Sequence, residues 1–193
     1  LIYGLPYAVG VTTFFITHEM GHFLACRHHD VACTWPFFIP APPPMHLGTL
    51  GAVIVIRSRI PNRRALFDIG VAGPLAGAVV ALVLVIWGVL ASPQNAPLAG
   101  PLPGEQWGDS LLTWWLKQWL RPDLGPGAPL HPIFMAGWVG LLATSMNLIP
   151  AGQLDGGHLV YSLAPRLHRW IGALSAAFLV GLVATSLLHW GTP

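Results

Sequence analysis

The chain has 193 residues, of which 54% are hydrophobic and 8% charged, with a net charge of +2 and a mean hydropathy of +0.62. Soluble domains carry about 25% charged residues, so this composition excludes an ordinary soluble domain and a disordered chain alike. Nine basic residues spread over the whole length make no basic patch, which excludes nucleic acid as a partner.

Crossing a bilayer core takes about 20 apolar residues per helix, and four segments meet that requirement: about 1–25, 69–91, 132–154 and 170–190. The expected fold is an all-α polytopic membrane protein, a single domain over 1–193. The first segment lacks the basic leader of a signal peptide and reads as a span. Its ionisable groups of consequence are His18, Glu19 and His22.

Between the first two spans, the stretch Leu47–Ile56 ends in the β-branched run Val53-Ile-Val-Ile56. Such a run favours a strand, and Phe37–Ile39 is the natural partner. A re-entrant β-hairpin over about 34–57 is therefore expected, because irregular backbone is tolerated at membrane depth where it lines a protein cavity. His28, His29 and Asp30 read as a solvated helix end. Cys26 and Cys33 are the two cysteines and do not form a CxxC pair. In the second span, Gly73 and Gly77 have the spacing that lets helices approach closely, and Pro74 suits a first helical turn.

The loop 92–131 is rich in Pro and Gly, and at its centre Trp114, Trp115 and Trp119 surround Lys117. That pattern reads as a helix lying in the membrane interface. Seven arginines (27, 57, 59, 63, 64, 166 and 169) fall on one side of the four-span arrangement, and Lys117 and Arg121 on the other. The positive-inside rule puts the hairpin and the end of span three in the cytoplasm and the Trp-rich loop outside. This bias suits a bacterial plasma membrane.

Two carboxylates stand in or against apolar spans, Glu19 and Asp155. A carboxylate near a helix centre costs about 2.5–3.5 kcal/mol on insertion scales, so such a group is expected to have a function and a partner. Thr17-His18-Glu19-Met20-Gly21-His22 contains H-E-x-x-H. Histidines at i and i+4 share a helix face and reach one zinc ion, and the intervening glutamate is placed to take a proton from water activated by the metal. A catalytic zinc needs a third protein ligand. Asp155 is the candidate, in Asn147-Leu-Ile-Pro-Ala-Gly-Gln-Leu-Asp155-Gly-Gly157, where Asn147, Pro150 and Gly152 interrupt the helix and free the backbone to turn the carboxylate inward. His46 and His158 lie close to these motifs in the sequence.

His18-Glu-Met-Gly-His22, together with Asn147-x-x-Pro-x-x-x-x-Asp155-Gly156, resembles the site-2 protease family of intramembrane zinc metalloproteases. Pro61-Asn-Arg-Arg-Ala-Leu-Phe-Asp-Ile-Gly-Val-Ala-Gly-Pro-Leu-Ala-Gly77 resembles it too, especially its plastid and bacterial branch. The resemblance implies one zinc ion on His18, His22 and Asp155, with Glu19 as catalytic base. It further implies a transmembrane protein substrate cut within the lipid bilayer, and Asn147 as a substrate or oxyanion contact. A locally unwound substrate segment is expected to add as a strand to the hairpin around Gly48–Ile56. The alternative is a catalytically inactive zinc-binding relative acting as sensor or chaperone. Glu19 argues against it, because holding a metal requires no base.

Overall fold

The computed structural model describes residues 4–40, 49–93, 108–124 and 128–190. His46, one of the two further histidines named above, lies outside them. In chain order the elements are α1 (Gly4–His28), β1 (Phe37–Pro40), β2 (Thr49–Val53), α2 (Arg63–Leu90), α3 (Leu111–Leu120), α4 (Pro132–Asn147), α5 (Asp155–Leu163) and α6 (His168–Trp190). The fold is mostly helical with one small antiparallel sheet.

The helix ends follow from local chemistry. Asp30 adopts a left-handed φ of 54°, and the Val31 N–H returns to the Cys26 carbonyl at 2.8 Å, closing α1 in a Schellman motif. The helix end is tied down as well, since His29 Nε2 meets Asp68 Oδ2 of α2 at 2.9 Å. Asn62 caps α2 by accepting from the Ala65 N–H. With this cap the helix starts six residues ahead of the expected 69, so Pro74 lies in its interior rather than in a first turn. There it lacks the N–H that would bond the Gly70 carbonyl.

Three helices form the bundle. Where glycine removes a side chain, the neighbouring backbone moves in: a Cβ on Gly10 would meet Ala136, one on Gly140 would meet Phe14, and one on Gly137 would lie 2.6 Å from the Val85 nitrogen. These contacts make α1 and α4 parallel, with α2 antiparallel to both. At the far end of α2, Arg121 after α3 donates to the carbonyls of Leu90 and Ser92, and Val85, Val89, Leu116, Leu124 and Phe134 form a core cluster. The tryptophans Trp114, Trp115 and Trp119 of α3 face outward.

The expected four spans are met only in part. By length and apolarity, two helices among the described residues are able to cross a membrane, Arg63–Leu90 and His168–Leu187. The segment expected at 132–154 is helical only to Asn147. Those 16 residues rise about 24 Å, short of a hydrocarbon core of about 30 Å. In α1 the His–Glu–His cluster and the threonines dilute the apolar character. Helix α6 packs against α5, and the spanning window within it is wholly unburied.

The hairpin forms, but its second strand is Thr49–Val53, ahead of the run expected from Val53 to Ile56. Phe37 pairs with Val53, whereas the Thr34 N–H bonds the Val55 carbonyl at 2.9 Å. Trp35 and Pro36 thus oppose the single residue Ile54. This is a bulge, forced where Pro36 has no N–H for the ladder.

The glycine contacts yield a stability prediction. Gly137→Ala would place a Cβ 2.8 Å from the Ala81 carbonyl as well as against Val85, and neither backbone atom can yield. It should lower unfolding stability by about 1–3 kcal/mol in detergent denaturation. Gly4→Ala, with nothing within 4 Å, should not.

Candidate metal centre

His18, Glu19 and His22 lie on the buried face of α1. Asp155 opens α5 after the turn 148–154, where Gly152 takes a left-handed φ of 56°. As the first residue of a helix its carboxylate also faces the positive end of the helix dipole. The ligand atoms of His18, His22 and Asp155 all lie within 4.8 Å of one another. More closely, His18 Nε2 and His22 Nε2 are 3.2 Å apart, and Asp155 Oδ2 stands 3.3 Å from the first and 3.4 Å from the second.

Those three distances fit zinc. Donor atoms about 2.0–2.1 Å from a tetrahedral zinc stand roughly 3.3 Å from each other. Protonation points the same way. His22 Nδ1 lies 2.7 Å from the Ile69 carbonyl, which can only accept, so the ring proton is on Nδ1 and Nε2 turns a lone pair inward. A lone pair, a carboxylate oxygen and a second imidazole nitrogen facing one another are satisfied by a cation. Binding the second ring nitrogen to a carbonyl is also the usual support of a zinc histidine.

The glycines assigned above to helix packing have a more specific task. A Cβ on Gly73 would collide with the His22 ring, and one on Gly77 would lie 2.9 Å from His18 Nδ1. The two glycines, four apart on α2, are the seats of two histidines four apart on α1. That matched spacing was present in the sequence, but GxxxG is too common to signal it alone.

Asn147, the last residue of α4, places Nδ2 3.3 Å from His18 Nε2. The backbone N–H of Ile54, which lies between the strand-paired Val53 and Val55, is turned toward the Glu19 carboxylate. This contact has no sequence signature, since it depends on how β2 lies against α1. The four residues H-E-H and Asp155, together with Asn147, line one cavity of about 630 Å³, walled on its apolar side by Phe15, Ala52, Ile54 and Met146. His158, one turn beyond Asp155, also lines it. Val55 is differently placed from the expectation of an added strand there: its N–H donates to Thr34 Oγ1 at 2.9 Å and is used within the hairpin.

Comparison with known proteins gives the class. A sequence model described as "Peptidase family M50" matches residues 6–119 and 124–188, and the chain belongs to this family, the site-2 protease family. It is similar to a rice (Oryza sativa subsp. japonica) protein named "Probable zinc metalloprotease EGY1, chloroplastic", at 36% identity over 97% of this chain and 31% of the relative. The Arabidopsis thaliana protein of the same name is 37% identical over 97% of this chain and 35% of its own length. Arabidopsis "Probable zinc metalloprotease EGY2, chloroplastic" is 31% identical over 83% of the chain and 29% of the relative. The chain thus spans about a third of the length of these relatives. No solved structure matches it. Zinc is the metal that both the family and the donor set imply. The relatives are named as chloroplastic, and nothing supports the bacterial plasma membrane expected from the arginine bias; such a bias selects a side of a membrane, not which membrane.

Two outcomes follow from this geometry. Gly73→Ala should push the His22 ring off its seat and lower zinc content in purified protein at least tenfold, on the order seen when support of a metal ligand is lost. Ile54→Pro removes the N–H on Glu19 without touching a ligand, so it should leave zinc content intact while slowing peptide hydrolysis.

Proposed function

We propose that this chain is a single membrane-embedded domain of a zinc-dependent intramembrane endopeptidase that cleaves transmembrane segments of membrane-anchored proteins. The reading rests chiefly on one observation: the HExxH face and Asp155 converge at zinc spacing in a cavity built into an apolar helix bundle. Its sequence relatives are named zinc metalloproteases, which supports the same class.

In this reading His18, His22 and Asp155 hold zinc. When bound, zinc polarises a carbonyl and lowers the pKa of water toward about 7. Glu19, steadied by the Ile54 N–H, accepts the proton of the attacking water and returns it to the leaving amine nitrogen. Asn147, beside His18, donates its amide N–H to the scissile carbonyl as charge develops there. Gly51–Ile54 along the cavity wall and the apolar side chains opposite hold a locally unwound substrate segment away from bulk water.

The domain sits in the lipid bilayer with α1, α2, α4 and α6 across or into it and the hairpin re-entrant. Helix α3 lies on one side, and the C-terminal ends of α1 and α4, beside the metal site, lie toward the arginine-rich, cytoplasm-like side. Outward-facing Leu75, Val79, Val83, Trp87 and Phe178 support a lipid-facing surface.

Zinc per chain in detergent-purified protein tests this directly. About one zinc is expected in the wild type, with substantial loss in Asp155→Ala. Glu19→Gln should keep its zinc while hydrolysis of a membrane-anchored reporter falls about 10²–10⁴-fold. No zinc in a folded wild type would overturn the reading. Full zinc without hydrolysis of any membrane-anchored reporter would instead support an inactive zinc-binding relative.

A further inference from the structure

Among the described residues, two buried side-chain polar atoms have no hydrogen-bond partner: His18 Nδ1 and Thr144 Oγ1. Both residues are nearly inaccessible, at 2% and 5% exposed. A buried donor or acceptor without a partner is destabilising, so two in one small bundle call for a common explanation.

The packing register supplies it. Gly10 of α1 lies against Ala136 of α4, and Phe14 against Gly140. Because the helices run parallel, one more turn brings His18 opposite Thr144. Asn147, the next residue on that face of α4, does reach His18, at Nε2. His18 Nδ1 faces Gly77 of α2, and Gly140, one turn before Thr144, lies against Ala81, one turn after Gly77, so the antiparallel register of α2 and α4 puts Thr144 and Nδ1 at the same level of the bundle.

We propose that Thr144 is the positioning residue for His18: its hydroxyl receives the Nδ1–H and so commits Nε2 to the metal. It would do for His18 what the Ile69 carbonyl does for His22 at 2.7 Å. The inference rests on the zinc reading above and deepens it. A hydroxyl in this place has both halves of the hydrogen-bonding arrangement available. It would accept from the imidazole with a lone pair and donate its own proton to a carbonyl one turn back, bonds that Thr144 does not make in this structure. Helical hydroxyls in this chain do the latter repeatedly: Thr13 to Val9, Ser145 to Leu141 and Ser175 to Ile171. Rotation of the Thr144 side chain or a bridging water would join the two, and a metal on Nε2 would favour that bond by keeping the proton on Nδ1.

The test is zinc affinity by chelator competition on the full chain in detergent. It compares wild type, Thr144→Val, Thr144→Ala and Thr144→Ser, with Thr13→Val as a control for loss of a helical hydroxyl. Thr144→Val and Thr144→Ala should each weaken zinc binding about 10–100-fold, Thr144→Ser should stay near wild type, and Thr13→Val should not change it. ¹⁵N-histidine NMR of the zinc form should show the His18 Nδ1–H resonance altered in Thr144→Ala and restored in Thr144→Ser. Wild-type affinity in both Val and Ala variants would overturn this role and leave the zinc site standing. Equal loss in Val, Ala and Ser would also overturn it, because side-chain volume would then be the cause. A wild-type chain that binds no zinc would overturn the metal reading and this inference together.

Discussion

The structure depends on keeping three ionisable groups, His18, His22 and Asp155, together inside an apolar bundle. Separately, each is a desolvated polar or charged group that an apolar environment disfavours by several kcal/mol. Together at 3.2–3.4 Å they are a ligand set, and a divalent cation turns their mutual repulsion into binding. Much of the surrounding architecture serves that convergence. Gly73 and Gly77 open room for the two rings, the Ile69 carbonyl fixes one tautomer, and the turn at 148–154 delivers the carboxylate from a different part of the chain.

The same helix contacts that stabilise the bundle also set the site. Gly10, Gly137 and Gly140 let three backbones approach more closely than side chains would permit, which aligns α1 with α4 turn by turn. This alignment decides which residue of α4 meets which histidine. A shift of one residue along α4 would rotate Thr144 and Asn147 away from His18 by about 100°, so packing precision and site geometry are one requirement.

Glu19 is coupled to a second element. Its neighbour is the Ile54 backbone amide, and Ile54 also lines the cavity, so the cavity wall and this contact are the same piece of chain. Anything that shifts the hairpin also shifts the donor beside Glu19.

The motif His18-Glu-x-x-His22 was legible because helical periodicity alone puts i and i+4 on one face, and a buried acid between them has few other uses. Asp155 was legible because a lone carboxylate at the end of an apolar run stands out. The existence of a hairpin was legible from β-branched residues, but its register was not, since the pairing slips by one residue between Phe37–Val53 and Cys33–Ile56. The extent of the third span was misread for a related reason: hydropathy continues to Leu154, whereas the helix stops where Asn147, Pro150 and Gly152 favour a turn. What the amino-acid sequence determined by itself was local: which residues share a helix face, and which groups are too polar for their surroundings. What only the tertiary structure decided was long-range: that two glycines seat two histidines, that the Ile54 amide comes to Glu19, and that Asn147 reaches His18. Each of these depends on how one element lies against another, and no periodicity within either one carries that information.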